Sequence, residues 1–217
     1  MMTSLFASFD PTSKIMQMNW LMMTSTMIIL PMNFWIMNSR WTMMKKILTK
    51  KMSLEMFNNT NNKEMIMLTT SIFMIIMINN LMGLFPYNFT ATSHPSVSVS
   101  LALPTWLMMM IYGWTKFTKS MFIHLLPNGT PMPIMPMMII IETTGNIIRP
   151  ISLSVRLTAN MIAGHLMMTL LGNMNEMSKM MVVLPTQMML MSFESSISII
   201  QAYVFSTLIS LYSSEIP

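Results

Sequence analysis

Between Lys14 and Arg40 the chain carries no Asp, Glu, Lys or Arg. That uncharged stretch exceeds the roughly 20 residues that cross a hydrocarbon core of about 30 Å as a helix. A soluble domain has no place for such a segment, and the rest of the chain repeats the pattern. Charged residues make up 9% of the sequence and hydrophobic ones 53%, whereas roughly 25% of an ordinary globular domain is charged. So few charges cannot cover a water-facing surface without large exposed apolar patches. Inside a bilayer every backbone N–H and C=O must be satisfied within the protein, which restricts the fold to helices or a closed barrel. The long apolar runs select helices, so the fold class is an all-α membrane protein forming one integral domain over residues 1–217.

Five spans and one surface helix are expected. Residues 15–39 form the first span, kinked at Pro31, with Trp20 near one end and Trp35 and Trp41 near the other. Such placements suit interfacial anchors. Residues 41–57 read as an amphipathic helix lying on the membrane, although its basic and apolar faces are not cleanly separated. Asn58 to Asn62 form a loop. The second span covers 65–85, interrupted by Asn79, Asn80 and Gly83, and the third covers 97–114. Turn-rich residues fill 86–96. The prolines between Ser120 and Pro136 argue for a connector in which no helix persists. Two long helices follow, 137–171 and 180–212, joined by a polar turn at Gly172–Lys179.

Lysines and arginines orient the chain. Arg40, Lys45, Lys46, Lys50, Lys51 and Lys63 cluster before the second span, and Lys116 and Lys119 close the third. Cationic connectors stay on the cytoplasmic or matrix side. Both clusters share that side if the N-terminus lies outside and the C-terminus inside. The N-terminus has neither the cationic start of a signal peptide nor an Arg-rich transit face, so a cleaved address is not expected.

Other classes fall away. Cysteine is absent, which excludes disulfides and thiolate metal sites. His94, His124 and His165 are too scattered for zinc, and no cofactor is expected. A pI near 9.6 hints at nucleic acid, but the lysines sit at connectors and no basic stripe interleaves with aromatics. The 36 methionines are spread along the whole chain as substitutes for Leu and Ile. They point to an AT-rich genome whose code reads extra codons as Met, not to a Met-lined binding surface.

Function is expected where charge enters the apolar helices. A charged side chain at the bilayer centre costs at least ~2.5–3.5 kcal/mol, so such groups face protein or water. Glu142, Arg149 and Arg156 are spaced seven apart, which keeps them on one helix stripe with a drift of about 20° per step. Asn160 lies one turn beyond. Gln187, Glu194 and Gln201 repeat the spacing in the last helix. Folding the two helices antiparallel, with Arg156 level with Gln201, puts His165 within ~3 Å in height of Glu194. His165 nevertheless points about 180° away from Arg156. Either Gly164 or a bend brings the imidazole round to Glu194, or the two residues serve different surfaces. A carboxylate and an imidazole together suit proton handover. Arg156 stays protonated and cannot itself carry a proton through, but it can attract a carboxylate on a partner and block a direct leak. Arg149, beside Pro150 and nearer the inner interface, suits snorkelling. His94 and His124 read as solvated loop or interface residues.

The run from Ser154 through Arg156, Leu157, Thr158, Ala159, Asn160, Met161, Ile162, Ala163, Gly164 and His165 to Leu166 closely resembles the signature of the a subunits of F-type ATP synthases. The stretches Gly83–Tyr87, Leu126–Pro131 and Ile200–Phe205 and the opening Leu5–Pro11 are similar to the same family, and the whole resembles its mitochondrially encoded arthropod form. The resemblance implies a proton-conducting stator subunit that supplies two half-channels to a ring of c subunits and couples proton flow to rotation and ATP synthesis. It implies that Arg156 meets the ring's carboxylates and that His165 and Glu194 belong to the half-channel from the intermembrane space. Glu142 would belong to the matrix half-channel, with Asn160 and Gln201 as polar neighbours of the arginine. The last two helices would form a hairpin against the ring, tilted along it. Partners would be the c-ring, the peripheral stalk and small membrane subunits, lipid of the mitochondrial inner membrane, and protons as the transported ion. The N-terminus would face the intermembrane space and the C-terminus the matrix. No catalytic residue is implied in this chain, and no phosphate-binding loop is present.

Two readings from other classes compete. A proton-coupled carrier needs a substrate site at a broken helix pair, and a respiratory-chain pump subunit spreads Lys and Glu over several helices. Neither pattern is found. A purely structural anchor has no need of Arg156.

Overall fold

A computed structural model describes residues 6, 9–12, 18–24, 29–30, 37, 39–60, 62–85, 88–126, 131–174 and 180–214. Six α-helices organise them: α1 (Arg40–Asn59), α2 (Lys63–Gly83), α3 (Pro95–Lys116), α4 (Thr118–His124), α5 (Met135–Asn173) and α6 (Met180–Ser214). Short 3₁₀ turns occur at Met18–Thr24, Ala91–Ser93 and Met132–Ile134. No strand occurs among the described residues. By length and composition α2, α3 and α6 can each cross a membrane. Helix α5, at 39 residues, is longer still and carries the charged stripe. A core of about 30 Å accommodates only about 20 residues upright. A helix as long as α6 must therefore cross obliquely or project beyond it.

Helices α3, α5 and α6 cover the stretches that hydropathy marked, each running two residues further at one or both ends, while α2 is shifted by two residues, from the expected 65–85 to Lys63–Gly83. The first expected span, 15–39, lies mostly outside the described residues, and its described part is the seven-residue 3₁₀ helix Met18–Thr24. Residues 175–179 of the expected turn at Gly172–Lys179 also lie outside. The connector 120–136 differs from expectation, because Thr118–His124 is helical. The prolines begin only at Pro127, so nothing in those seven residues prevents about two turns of helix.

The core forms where α2 lies against α6. Ser198, Ala202, Ser206 and Ser210 recur every fourth residue of α6 and are all nearly or fully buried. Small side chains on one stripe let helices approach closely where no hydrophobic drive exists between them in lipid. The three hydroxyls cost little in that apolar setting, since each donates to a carbonyl one turn back: Ser198 to Ser195, Ser206 to Tyr203 and Ser210 to Thr207. Helix α2, which packs against α6, buries Thr69, Ile72, Phe73, Ile76 and Asn80 among others. Helix α1 buries only Thr42, Met52 and Met56. Its C-terminal end is pinned to α6 where Asn59 Nδ2 donates to Ser210 Oγ over 3.1 Å. Trp41, Met44, Ile47 and Leu54 stay exposed beside Lys46, Lys50 and Lys51, so its faces are as mixed as the sequence suggested.

Helix α5 has two faces. Leu153, Ser154, Leu157, Thr158 and Met161 are buried, while Val155, Arg156, Ala159, Asn160 and Ala163 are exposed. Arg156 and Asn160 thus lie on the side of α5 that the other described residues leave uncovered, whereas Glu142 and Arg149 are half-buried.

Candidate proton-conducting site

The register of the α5–α6 hairpin is fixed by two contacts. Gln201 Nε2 donates to the backbone carbonyl of Arg156 over 2.8 Å. Two turns toward the hairpin's closed end, Glu194 packs on Gly164, where an added Cβ would lie 3.0 Å from the carboxylate carbon and 3.2 Å from Oε1. A side chain at residue 164 would push the carboxylate aside by a few tenths of an ångström. Arg156 is therefore level with Gln201, as the heptad spacing predicts, and Glu194 is level with Gly164.

Glu194 and Gln201 are buried, at 8% and 5% exposure. Glu194 Oε1 and Gln201 Oε1 have no hydrogen-bond partner, and neither has His165 Nε2. Buried polar atoms without partners are uncommon in folded proteins and mark places where water or a transported species is expected. A cleft of about 210 Å³ joins Glu194 to Gly164, Asn160 and Ser198. Asn160 belongs to the exposed face that carries Arg156, so the cleft leads from the buried carboxylate toward the arginine.

His165 does not meet Glu194. Its ring faces the backbone of Gly83 at the end of α2 and lies edge-on to Phe9 at 6.0 Å. Of the two outcomes the sequence left open, the structure selects separate surfaces: Glu194 looks across Gly164 into the cleft, and His165 looks toward α2 and the N-terminal segment. Gly83 itself is tightly enclosed, since a Cβ there would come within 3.3 Å of Met161 Cε and Thr90 Cγ2. One turn back on α2, Asn80 is fully buried with both amide atoms unpartnered, and so is Thr92 Oγ1 in the adjoining 3₁₀ turn. Sequence reasoning treated Asn80 only as an interruption of a span. An Asn pair in an otherwise apolar helix was the available signal.

A second, larger cavity of about 540 Å³ lies at the other end of the bundle, lined by Glu142, Asn146, Arg149, Trp114 and Tyr212 among others. Pro150 has no N–H to give to the Asn146 carbonyl, which leaves a bare acceptor on a residue that lines this cavity. Arg149 sits over the Tyr212 ring at 4.8 Å, so its guanidinium is held by an aromatic face where the sequence suggested snorkelling. Arg156 lines neither cavity. Along α5 the nearest lining residues, Arg149 and Asn160, are ~16 Å apart, with Arg156 between them.

His94 is half-buried, bonded through Nε2 to the Phe9 carbonyl at 2.9 Å and packed in a three-ring cluster with Trp20 and Phe89. Of the two positions its place between spans suggested, solvated loop or interface, this packing does not fit a fully solvated loop. The His124 side chain lies outside the described residues.

Comparison with known proteins places the chain in a family. Residues 11–214 match the family model described as ATP synthase A chain. The chain is 47% identical to ATP synthase subunit a of Aedes aegypti over the whole of both sequences. It is 46% identical to that of Drosophila melanogaster and 45% identical to that of Anopheles gambiae, again over both full lengths. The chain belongs to the ATP synthase A chain family.

Proposed function

We propose that this chain is the proton-conducting stator subunit of the membrane sector of an F-type ATP synthase. Family membership makes it a multi-pass subunit of that complex. The finer reading, two half-channels offered to a rotating c-ring, rests on one observation. Arg156 is exposed on the open face of α5, between a cavity lined by Glu142 and Arg149 and a cleft lined by Glu194 and Asn160, and it joins neither lining. A permanent cation on an apolar helix must meet a partner, because lipid alone would cost it several kcal/mol. A ring carrying carboxylates is the partner that satisfies it.

In this reading a proton from the intermembrane space passes His165 and Glu194 and crosses the cleft to Asn160. There it neutralises a c-subunit carboxylate, which can then turn into lipid at little electrostatic cost. After nearly a full turn the carboxylate meets the Glu142 cavity and releases its proton toward the matrix. The deprotonated group is drawn to Arg156, which repels any proton moving straight from one cavity to the other. Gln201 holds the backbone of Arg156 in place. Asn80 and Thr92 offer further polar atoms on the uptake side.

The same reading sets the topology. The basic helix α1 and the Lys63 and Lys116 ends of α2 and α3 face the matrix, as does the end of α6 at Ser214. The His165 end faces the intermembrane space of the mitochondrial inner membrane. Peripheral-stalk and small membrane subunits bind elsewhere on the same chain.

Cross-linking tests the open face. The chain contains no cysteine, so single introduced thiols are unique within it. Val155→Cys and Asn160→Cys should form disulfides with a cysteine placed on the carboxylate-bearing helix of a c subunit. Leu157→Cys and Met161→Cys, on the buried stripe, should not. Cross-linking only from the buried positions would remove the c-ring from this face.

A further inference from the structure

Among the described residues of the N-terminal segment, Phe9 reaches His165. Phe9 lies edge-on to the His165 ring, with centroids 6.0 Å apart and planes at 86°. Its carbonyl is held across the fold by His94 Nε2 at 2.9 Å. A carbonyl can only accept, so this nitrogen carries the hydrogen. The His94 ring is itself fixed, 5.2 Å from Trp20 and 5.3 Å from Phe89, and those two rings are 5.4 Å apart. Asn19 Nδ2 donates to the Asp10 carbonyl at 3.4 Å, tying the same segment a second time. Residues more than eighty positions apart thus converge on one imidazole whose Nε2 is buried and unpartnered.

That convergence has a physical consequence for His165. The ring is held on one side by the Gly83 backbone and on another by the Phe9 edge, which together restrict its rotation about the side-chain bonds. An imidazole that relays protons needs its free nitrogen aimed at the path, and a ring free to turn would spend only part of its time so aimed. We infer that Phe9, held by His94, is a positioning residue that orients the His165 imidazole for proton uptake. The inference rests on the reading of His165 as a member of the uptake path. It adds to that reading a strap from the N-terminus whose clasp is the bond from His94 to Phe9.

The test uses the assembled synthase in sealed vesicles and measures proton flux driven by an imposed gradient, with complex content measured alongside. Phe9→Leu and His94→Ala should each lower the flux several-fold at normal complex content. His94→Gln should restore most of the loss, because its amide can donate to the same carbonyl. Neither Phe9→Leu nor His94→Ala should lower the flux further when combined with His165→Ala. If His94→Ala fails to assemble, Phe9→Leu carries the test, since it keeps most of the volume and the backbone carbonyl. Normal flux in Phe9→Leu beside slow flux in His165→Ala would overturn the strap and leave the path intact. Full additivity with His165→Ala, or no rescue by His94→Gln, would also overturn it. Normal flux in His165→Ala would instead overturn the underlying reading of the path.

Discussion

Gln201 binds Arg156 through the backbone, not the guanidinium: its side-chain amide donates to the arginine's carbonyl over 2.8 Å. The guanidinium is left free of this contact on the open face of α5, and the arginine's height in the membrane is set by its neighbour on α6. Interhelical hydrogen bonds of this kind average about 0.6 kcal/mol and reach about 1.7. Gln201→Leu should therefore lower the thermal dissociation temperature of the complex only slightly while loosening Arg156. Coupling, measured as ATP synthesised per proton translocated, should fall more than stability does. Equal losses in both would mean that Gln201 serves packing alone.

The Gly164–Glu194 contact makes a sharper prediction. A methyl group at residue 164 would sit 3.0 Å from the Glu194 carboxylate carbon, and the flexible end of the glutamate would give way. Gly164→Ala should assemble normally yet slow proton flux, with Gly164→Val slower still. Glu194→Gln removes the titrating group itself and should cost on the order of 10²-fold, the low end of what a positioned proton donor contributes. Flux measured in vesicles checks the order. An unchanged rate in Glu194→Gln would take that residue off the path.

At the opposite end, Glu142 and Arg149 line the same cavity but should behave differently. Glu142→Gln should slow proton release to the matrix side without affecting assembly. Arg149 rests on Tyr212, a contact of about 0.5–2 kcal/mol. Arg149→Ala and Tyr212→Leu should therefore destabilise the complex by similar amounts, and the double substitution by little more than either. Thermal dissociation of the three proteins measures this. Full additivity would mean that the two residues act independently.

Much of this site was legible before any coordinates, because polar residues in apolar helices are few and their spacing is informative. The seven-residue steps from Glu142 to Arg156 and from Gln187 to Gln201 gave both stripes, and the antiparallel register followed from aligning them. What the spacing could not resolve was where His165 turns. That depends on Phe9 and Gly83, which pack against it from distant parts of the chain. The burial of Asn80 was hidden for the same reason, since an Asn in a span reads as a weakness until the helix facing it is known. His94 looked solvated because it lies in a connector, and only the ring stacking of Trp20 and Phe89 buries it. The helix Thr118–His124 contains no proline, and the prolines from Pro127 onward say nothing about the residues before them.

The central claim is that Arg156 keeps two otherwise separate half-channels apart while the ring turns. Replacing Arg156 by Ala and measuring ATP-driven proton pumping and ATP synthesis in vesicles tests it most directly. The account predicts that assembly survives, that synthesis and pumping are both abolished, and that protons leak passively through the membrane sector. Normal ATP-driven pumping by Arg156→Ala would contradict it.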